Sequence, residues 1–118
     1  MNIDYYLKNN NLKLEGYGKN KFIINGKNYF NPVILVPNKL KEEKELKEKD
    51  INVKFLNKII KQNKLELLIL GCDIKFRNKF SFKNSSIEIM DVGAACRTIN
   101  ILLSEGRRVG ALLFPIKN

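Results

Sequence analysis

The stretch MDVGAACRTINILLSEGRRVGALLFPI, residues 90–116, carries the pattern that decides the fold. It holds no lysine in a chain otherwise rich in lysine and asparagine, yet it contains three of the four arginines, two adjacent alanines and three glycines. Residues 94–105 have the spacing of a helix with one apolar face, formed by Ala95, Ile99, Leu102 and Leu103. Residues 107–116 are a nearly continuous apolar run, typical of a strand buried on both faces. The stretch therefore predicts a helix, a turn at Gly106 and a strand.

Two further buried strands are predicted upstream of this stretch. The runs LELLILGC (65–72) and IEIMDV (87–92) are short and apolar, and 73–86 is interpreted as the connection between them. The second half of the chain thus alternates strand, crossover, strand, helix and strand, which favours parallel pairing with right-handed crossovers. Gly93 allows the sharp turn from the strand into the helix, and the paired alanines let the helix start lie close to the sheet.

The first half predicts an antiparallel hairpin over residues 14–37. Asn25-Gly26 is a strong signal for a type I′ turn, because both central residues of that turn need a positive φ. The strand before the turn contains Phe22-Ile23-Ile24. We predict that 33–36 is the second strand of this hairpin and that Pro37 ends it, since proline cannot donate to the ladder.

A second helix is predicted over 51–63, where apolar residues recur at helical spacing and Asp50 or Asn52 can cap the first turn. Residues 1–118 together predict one α/β domain. Its architecture is an N-terminal β-hairpin followed by β-α-β-α-β, with a mixed, mainly parallel sheet. Residues 1–13 are predicted to be a flexible tail. Residues 38–50 are predicted to be a charged, mobile loop, because lysines and acids balance there with little to bury.

Composition excludes several kinds of chemistry. The chain has 118 residues and no histidine, so it holds no Ser-His-Asp triad and no histidine zinc site. Two cysteines, Cys72 and Cys96, cannot form a thiolate zinc site alone. No apolar run approaches the ~20 residues that span a bilayer, and the first residues lack the pattern of a signal or transit peptide. We predict a cytoplasmic protein with no metal, no cofactor and no catalytic residue.

The net charge of +10 has two interpretations. It favours attraction to nucleic acid or to an anionic membrane surface. It is also typical of a lysine- and asparagine-rich composition without function, and we prefer this interpretation because the lysines are scattered and no RNA-binding motif accompanies them. Lys54, Lys58 and Lys61 share one face of the predicted helix. That face is either a contact for a membrane or an acidic partner, or, as we prefer, a solvated surface.

A candidate binding cleft lies where the predicted parallel strands end, since ligands of α/β sheets collect outside the carboxyl ends of strands. Asp91 precedes a helix start and can cap it, which is its simpler role. Cys96 can have a lowered thiol pKa one turn into the helix, although no base accompanies it and a packed small residue is the better interpretation. The cleft is predicted to consist of Gly71, Asp73, Asp91, Cys96, Arg97 and Asn100.

Arginine in a chain that otherwise uses lysine indicates positions where a planar, bidentate group is needed. We predict that Arg97 or Arg107 forms a fixed ion pair with Glu88, Asp91 or Glu105. The alternative is that three arginines stand close together by chance.

The segments GYGKNKFIING, ELLILGCD and IEIMDVGAACRTINILLSEGRRVGALL resemble a small α/β domain family of unassigned function. That family includes mitochondrial complex I assembly factor 3 and an adipogenesis-associated protein, and residues 90–109 are closest to its bacterial branch. The resemblance runs from Gly16 to Leu113. This chain departs from the bacterial pattern at three places: Gly71-Cys72-Asp73 replaces Gly-Thr-Gly, Val92 replaces a threonine and Ile99 replaces a tyrosine.

The resemblance implies a non-enzymatic protein-interaction domain that takes part in assembling respiratory complex I. Its partners would be respiratory-complex subunits or assembly proteins, with peripheral contact at the inner membrane. The alternative is a small-molecule-binding domain or enzyme with its site at the carboxyl ends of the parallel strands. Nucleic-acid binding is a third hypothesis, which rests on the charge alone.

Overall fold

A computed structural model describes residues 3–6, 12–73 and 86–116. The strands are β1 Ile3–Tyr6, β2 Leu14–Gly18, β3 Lys21–Ile24, β4 Lys27–Tyr29, β5 Val33–Val36, β6 Lys39–Glu42, β7 Leu67–Gly71, β8 Ile87–Met90 and β9 Val109–Leu113. The helices are α1 Val53–Asn63, α2 Val92–Ser104 and a short 3-10 helix, Glu48–Asp50. Most of the predicted connection over 73–86 lies outside the described residues.

Six strands form the main sheet in the order β1-β6-β5-β9-β7-β8. Strand β7 pairs in parallel with β8 and β9, whereas the pairs β5–β9, β5–β6 and β1–β6 are antiparallel. The predicted single α/β domain with a mixed sheet is confirmed. The expectation that the sheet is mainly parallel is wrong, because β5 and β6 form a tight hairpin that joins the sheet beside β9.

The Asn25-Gly26 turn is present, with φ values of 50° and 82°. Its two strands are β3 and β4, and Ile24 pairs with Lys27 immediately across the turn. The prediction that 33–36 is the second strand of this hairpin is therefore wrong. A two-residue loop fixes the pairing at the next residue, so the polar segment 27–29 becomes the partner strand. Strand β2 completes a separate three-stranded sheet.

Strand β6 lies in the segment that was predicted as a mobile loop, 38–50. Asn38, with φ 65°, makes the turn from β5, and Leu40 in β6 is 2% exposed. Farther along, Glu48 is buried in the 3-10 helix. The loop prediction is wrong for these residues, because pairing with β1 on one side and β5 on the other lets a mostly polar segment form a strand with one apolar side chain on its covered face. The tail prediction for 1–13 is likewise wrong at 3–6, which form β1, and at Leu12, which is buried.

The main sheet buries both faces, and the alternation along β9 shows how. Val109, Ala111 and Leu113 face a core shared with α2 and the small sheet. Leu112 and Phe114 face a second core under α1. All five side chains are at most 2% exposed, so a central strand buried on both sides explains the continuous apolar run in the sequence.

Both helix starts are capped as the sequence predicts. The side chain of Asn52 accepts a hydrogen bond of 2.8 Å from the N–H of Phe55, and that of Asp91 accepts one of 2.7 Å from Ala94. Asp50, the other candidate cap for α1, instead accepts from the N–H of Lys47. These bonds satisfy N–H groups that a helix start leaves without a partner.

Helix α2 lies close to the sheet at Gly71. A Cβ atom added to Gly71 would stand 2.7 Å from the Cβ of Ala95 and 2.8 Å from Cδ2 of Leu113. Ala95 is completely buried and Ala94 is half-buried. The prediction that small residues allow a close helix–sheet contact is confirmed at Ala95, and this contact fixes where α2 begins relative to the strand ends.

Candidate functional site

An open cavity of about 400 Å³ lies at the carboxyl ends of the three parallel strands. Residues that follow β7, β8 and β9 contribute to it, because parallel strands end at the same edge of the sheet. Its lining also includes one residue from the small sheet. The lining residues are Tyr17, Cys72, Asp73, Asp91, Val92, Gly93, Arg97, Pro115 and Ile116.

Three of the six predicted cleft residues line this cavity: Asp73, Asp91 and Arg97. The carboxylate of Asp91 is held at the helix start by its bond to the Ala94 N–H, so part of its acceptor capacity is already used. Arg97 lies on α2 and is exposed. Two carboxylates and one guanidinium therefore stand around an opening whose other walls are largely apolar, an arrangement that suits a small polar or cationic group.

Gly71 and Cys96 lie behind the cavity wall, in the core. Gly71 is buried against Ala95, as described above, and Cys96 is 2% exposed. Burial raises the pKa of the Cys96 thiol to about 12; the positive charge of Arg97 acts in the opposite direction and Asp91 adds to the rise. The hypothesis of a lowered thiol pKa is therefore wrong. Cys96 is a packed, protonated small residue.

Asn100 joins two elements and does not line the cavity. Its Oδ1 accepts a hydrogen bond of 3.0 Å from the N–H of Leu14, and its Nδ2 donates one of 2.6 Å to the carbonyl of Leu14. The side chain thus acts like one more residue of a strand at the start of β2. Its role in the described residues is to attach the small sheet to α2.

Tyr17 is one of the cavity residues that sequence reasoning missed, and it comes from the small sheet. A Cβ on Gly93 would stand 2.6 Å from the Tyr17 hydroxyl oxygen, so the tyrosine side chain would have to shift if residue 93 carried a side chain. Tyr17 is 42% exposed and is therefore available to a ligand or a partner. The signal in the sequence was an aromatic residue between two glycines, Gly16 and Gly18, but nothing local connects that strand to residue 93.

The predicted arginine ion pairs are placed differently in the structure. Arg107 pairs with Glu66 at 2.6 Å, and the predicted partners Glu88, Asp91 and Glu105 are not involved. The reason is the parallel register of β7 and β9, which brings the residues before both strands together: the N–H of Glu66 donates to the carbonyl of Arg108 at 2.7 Å. Arg97 stands at the opposite end of the sheet, on the cavity rim.

Arg108 binds backbone carbonyl groups and not a carboxylate. Its guanidinium donates to the carbonyls of Asn63 and Lys64, where α1 ends. Arginine at this position therefore satisfies two acceptors that the helix end leaves open. The inference that a planar group is needed is consistent with this contact, although the partner is not a carboxylate.

The sequence and the fold of this chain have known counterparts. A family model described as "Protein of unknown function (DUF498/DUF598)" matches residues 14–114, which include every strand from β2 to β9 and both helices. The chain belongs to this family. The resemblance drawn from residues 90–109 is thereby confirmed.

Curated relatives of this DUF498/DUF598 chain carry the name NADH dehydrogenase (ubiquinone) 1 alpha subcomplex assembly factor 3. The Xenopus tropicalis protein is 29% identical over 113 residues, which cover 86% of this chain and 60% of the relative. The Rattus norvegicus protein is 27% identical over 110 residues, with the same coverage. The chain thus spans about 60% of the length of these relatives.

Solved structures share the fold of the DUF498/DUF598 chain. A Bordetella parapertussis protein has a TM-score of 0.68 at 22% identity, covering 88% of this chain and 95% of its own. A Rhodopseudomonas palustris protein has a TM-score of 0.66 at 24% identity, covering 97% and 89%. A Bordetella pertussis protein, described as an Mth938-like domain, has a TM-score of 0.64 at 18% identity, covering 91% and 87%. At these identities the likeness shows the fold alone.

Within the described ranges of this family member, no group of three or more Cys, Asp or Glu side chains could hold a metal ion. In the same ranges, neither helix has the length and apolar character of a membrane-spanning segment. The strand-end cavity is therefore characterised by its shape, by Tyr17 and by the three charged side chains on its rim.

Proposed function

We propose that this chain is a non-enzymatic protein-interaction domain that takes part in assembling a respiratory membrane complex. The observation that carries the proposal is the 29% identity, along 86% of the chain, to a protein named as an assembly factor of NADH dehydrogenase. The domain acts from the cytoplasmic side and reaches the membrane surface through its partners. Respiratory subunits or other assembly proteins are the partners proposed.

Two features of the side chains support a binding role over a catalytic one. The chain has no histidine, and the Cys96 thiol has a pKa of about 12 because it is buried, so it is not a thiolate nucleophile near neutral pH. Large apolar side chains are exposed at two separate places: Phe30, after β4, is 62% exposed and Ile101, on α2, is 58% exposed. Exposed apolar groups of this size are favourable anchors for a protein partner.

Co-purification tests this proposal. The tagged chain is expressed in its source cells, and the membranes are solubilised in mild detergent before mass spectrometry. We expect respiratory-complex subunits to be enriched over the amounts captured by an unrelated basic protein of equal net charge. Equal recovery with both proteins would contradict the proposal, since it would show charge-driven capture only.

A second candidate function is the binding of a small molecule in the strand-end cavity. It is favoured by one observation: a cavity of about 400 Å³ lies at the edge of the sheet where α/β proteins bind their ligands. A fragment screen by ligand-observed NMR, repeated with the Arg97→Ala variant, tests it. A site-specific ligand loses its signal in the variant, whereas fragments that are unaffected by the change at the rim would argue against a ligand site.

A further inference from the structure

A groove on the opposite side of the main sheet has chemistry unlike that of the strand-end cavity. Helix α1 packs over the middle of this face, and strand β6 lies beyond the helix, toward the edge of the sheet. The space between them measures about 210 Å³. Its lining residues are Ile34, Val36, Lys39, Lys41, Glu43, Phe55, Lys58, Ile59, Gln62 and Asn63.

Alternation along β6 explains why lysines line this groove. Leu40 is 2% exposed in the core on the α2 side, so its neighbours Lys39 and Lys41 belong to the other face of the pleat. Each lies beside an apolar residue of β5: Lys39 is in register with Val36, and Lys41 is in register with Ile34. The lysine stems therefore lie along an apolar floor, with the ammonium groups above it.

Helix α1 supplies a second row of positive charge. Lys54, Lys58 and Lys61 are exposed and stand at i, i+4 and i+7, so they follow one side of the helix for about 10 Å. Lys58 lines the groove and also a neighbouring hollow on α1 that contains Lys54 and Lys61. The two hollows also share Phe55, which is half-buried, so an apolar ring separates the two rows of lysines.

Negative charge in the groove is sparse. Among its described lining residues, Glu43 is the one acid, and its carboxylate lies 3.7 Å from the ammonium of Lys41. Three lysines in the lining, Lys39, Lys41 and Lys58, therefore stand against Glu43, and Lys54 and Lys61 add positive charge from the neighbouring hollow. These charges lie above an apolar floor made by side chains such as Ile34 and Ile59, which are each 7% exposed.

We propose that this basic groove, formed by the lysines of β6 and α1 around Phe55, binds an acidic segment of a protein partner. Carboxylates of the segment pair with the two rows of lysines, and one apolar side chain of the segment packs on Phe55 between them. The proposal rests on the proposed role in protein interaction and assigns that role a surface. A concave groove with an apolar floor fits a peptide better than a lipid headgroup layer, which would meet the ammonium groups but leave the floor unfilled.

A labelled peptide tests the groove directly. It carries glutamate at every third or fourth position and one central phenylalanine, and its matched probe has lysine in place of each glutamate. Fluorescence anisotropy at physiological ionic strength measures binding to the full chain. We expect the acidic peptide to bind, the basic peptide not to bind, and an acidic peptide without the phenylalanine to bind more weakly, because it leaves the floor at Phe55 uncovered.

Charge-reversal variants locate the binding surface. The triple variant Lys54→Glu, Lys58→Glu, Lys61→Glu changes exposed helix positions to another good helix former, so we expect it to fold, as checked by circular dichroism. It should bind the acidic peptide about tenfold more weakly or worse, since several ion pairs of modest strength are lost together. The matched control reverses three exposed lysines outside the groove, Lys13, Lys19 and Lys44, and should stay within about twofold of the wild type.

Two results would overturn the groove proposal. Equal losses in both triple variants would show attraction by net charge alone. Stronger binding to vesicles of phosphatidylserine and phosphatidylcholine than to the acidic peptide, abolished by the changes in α1, would show a lipid-binding face.

The co-purification experiment separates this proposal from the proposed function. If the α1 variant retains the same respiratory subunits as the wild type, the groove is not the contact surface, while the interaction role stands. If the wild-type chain captures no such subunit, the assembly role fails, and the peptide measurements still decide whether the groove recognises acidic segments.

Discussion

Three small residues near the strand-end cavity, Gly71, Gly93 and Cys96, determine how closely α2 packs on the sheet and which groups near the cavity can react. At Gly71 the absence of a side chain allows Ala95 and Leu113 to meet over the strand. At Gly93 it allows the Tyr17 hydroxyl to reach the helix start. At Cys96 the surrounding core keeps the thiol protonated. Gly71 thus lets α2 lie against the sheet behind the cavity, Gly93 leaves space at the cavity rim, and the Cys96 thiol is not ionised near neutral pH.

Replacing Gly71 with alanine is expected to destabilise the fold by about 1–3 kcal/mol, because the new Cβ overlaps two buried side chains and forces α2 away from the sheet. Urea denaturation measures the change. Gly18→Ala is the matched control, since no atom lies within 4 Å of a Cβ at that position and its backbone does not have positive φ. A loss at Gly18 as large as that at Gly71 would contradict the argument from packing.

Stability at alkaline pH should report the buried thiol of Cys96. Burial raises its pKa from 9.0 to about 12, so the unfolded chain loses this proton at lower pH than the folded one does. The contribution is neutral below pH 9 and becomes destabilising as the pH rises from about 9 toward 12, with a slope of at most about 1.4 kcal/mol per pH unit.

The Cys96→Ala variant removes this group and is the comparison for that measurement. Urea midpoints of both proteins are determined between pH 8 and pH 11. We expect the wild type to lose stability more steeply above pH 9 than the variant does. Parallel pH profiles would show that the thiol ionises equally in the folded and unfolded states.

At the scale of elements, polar contacts between residues far apart in the sequence connect the helices to the strands. Asn100 on α2 holds the start of β2, Arg108 holds the end of α1, and Arg107 pairs with the residue before β7. The Arg107–Glu66 pair is about half exposed on both sides, so we expect it to contribute little to stability. The bonds made by Asn100 are partly buried, and we expect them to help hold the small sheet on α2.

Asn100→Ala is expected to lower the free energy of unfolding by about 2 kcal/mol, because both the N–H and the carbonyl of Leu14 lose their partner. Amide hydrogen exchange at Leu14 should rise more than exchange in β9. Ser104→Ala, which removes an exposed bond to the Ile101 carbonyl on the same helix, is the control. Unchanged protection of Leu14 in the Asn100 variant would show that packing alone attaches the small sheet.

Local sequence signals account well for elements and poorly for contacts between them. The strand–helix–strand unit, both N-caps and the positive-φ turn at Asn25-Gly26 follow from spacing and backbone preference, and the structure contains them. Strand β6 was missed because it buries a single apolar side chain, Leu40, and owes its strand structure to pairing with β1 and β5. Tyr17 and the Asn100–Leu14 contact, which spans 86 residues, depend on which elements become neighbours, and no local pattern encodes that.

The whole molecule has two candidate binding sites of different chemistry on different sides of one sheet. The strand-end cavity carries two carboxylates and one guanidinium, whereas the groove beside α1 is lined mainly by lysines. The positive charge of the chain, +10 in total, is therefore concentrated more at the groove than at the strand-end cavity. The strand-end cleft could be predicted from the sequence, because three buried strands and a capped helix indicate where parallel strands end. No sequence signal indicated that β6 would place its lysines opposite those of α1.

Strand β9 has a consequence for synthesis on the ribosome. It is the last of the described strands to be made, yet it stands between β5 and β7 and is the link between the antiparallel and parallel portions of the sheet. While residues 109–113 are still inside the exit tunnel, the antiparallel strands and the parallel strands cannot pair into one sheet. Such a chain exposes unpaired strand edges until residues 109–113 have emerged, so a chaperone that binds emerging polypeptides would find its substrate here.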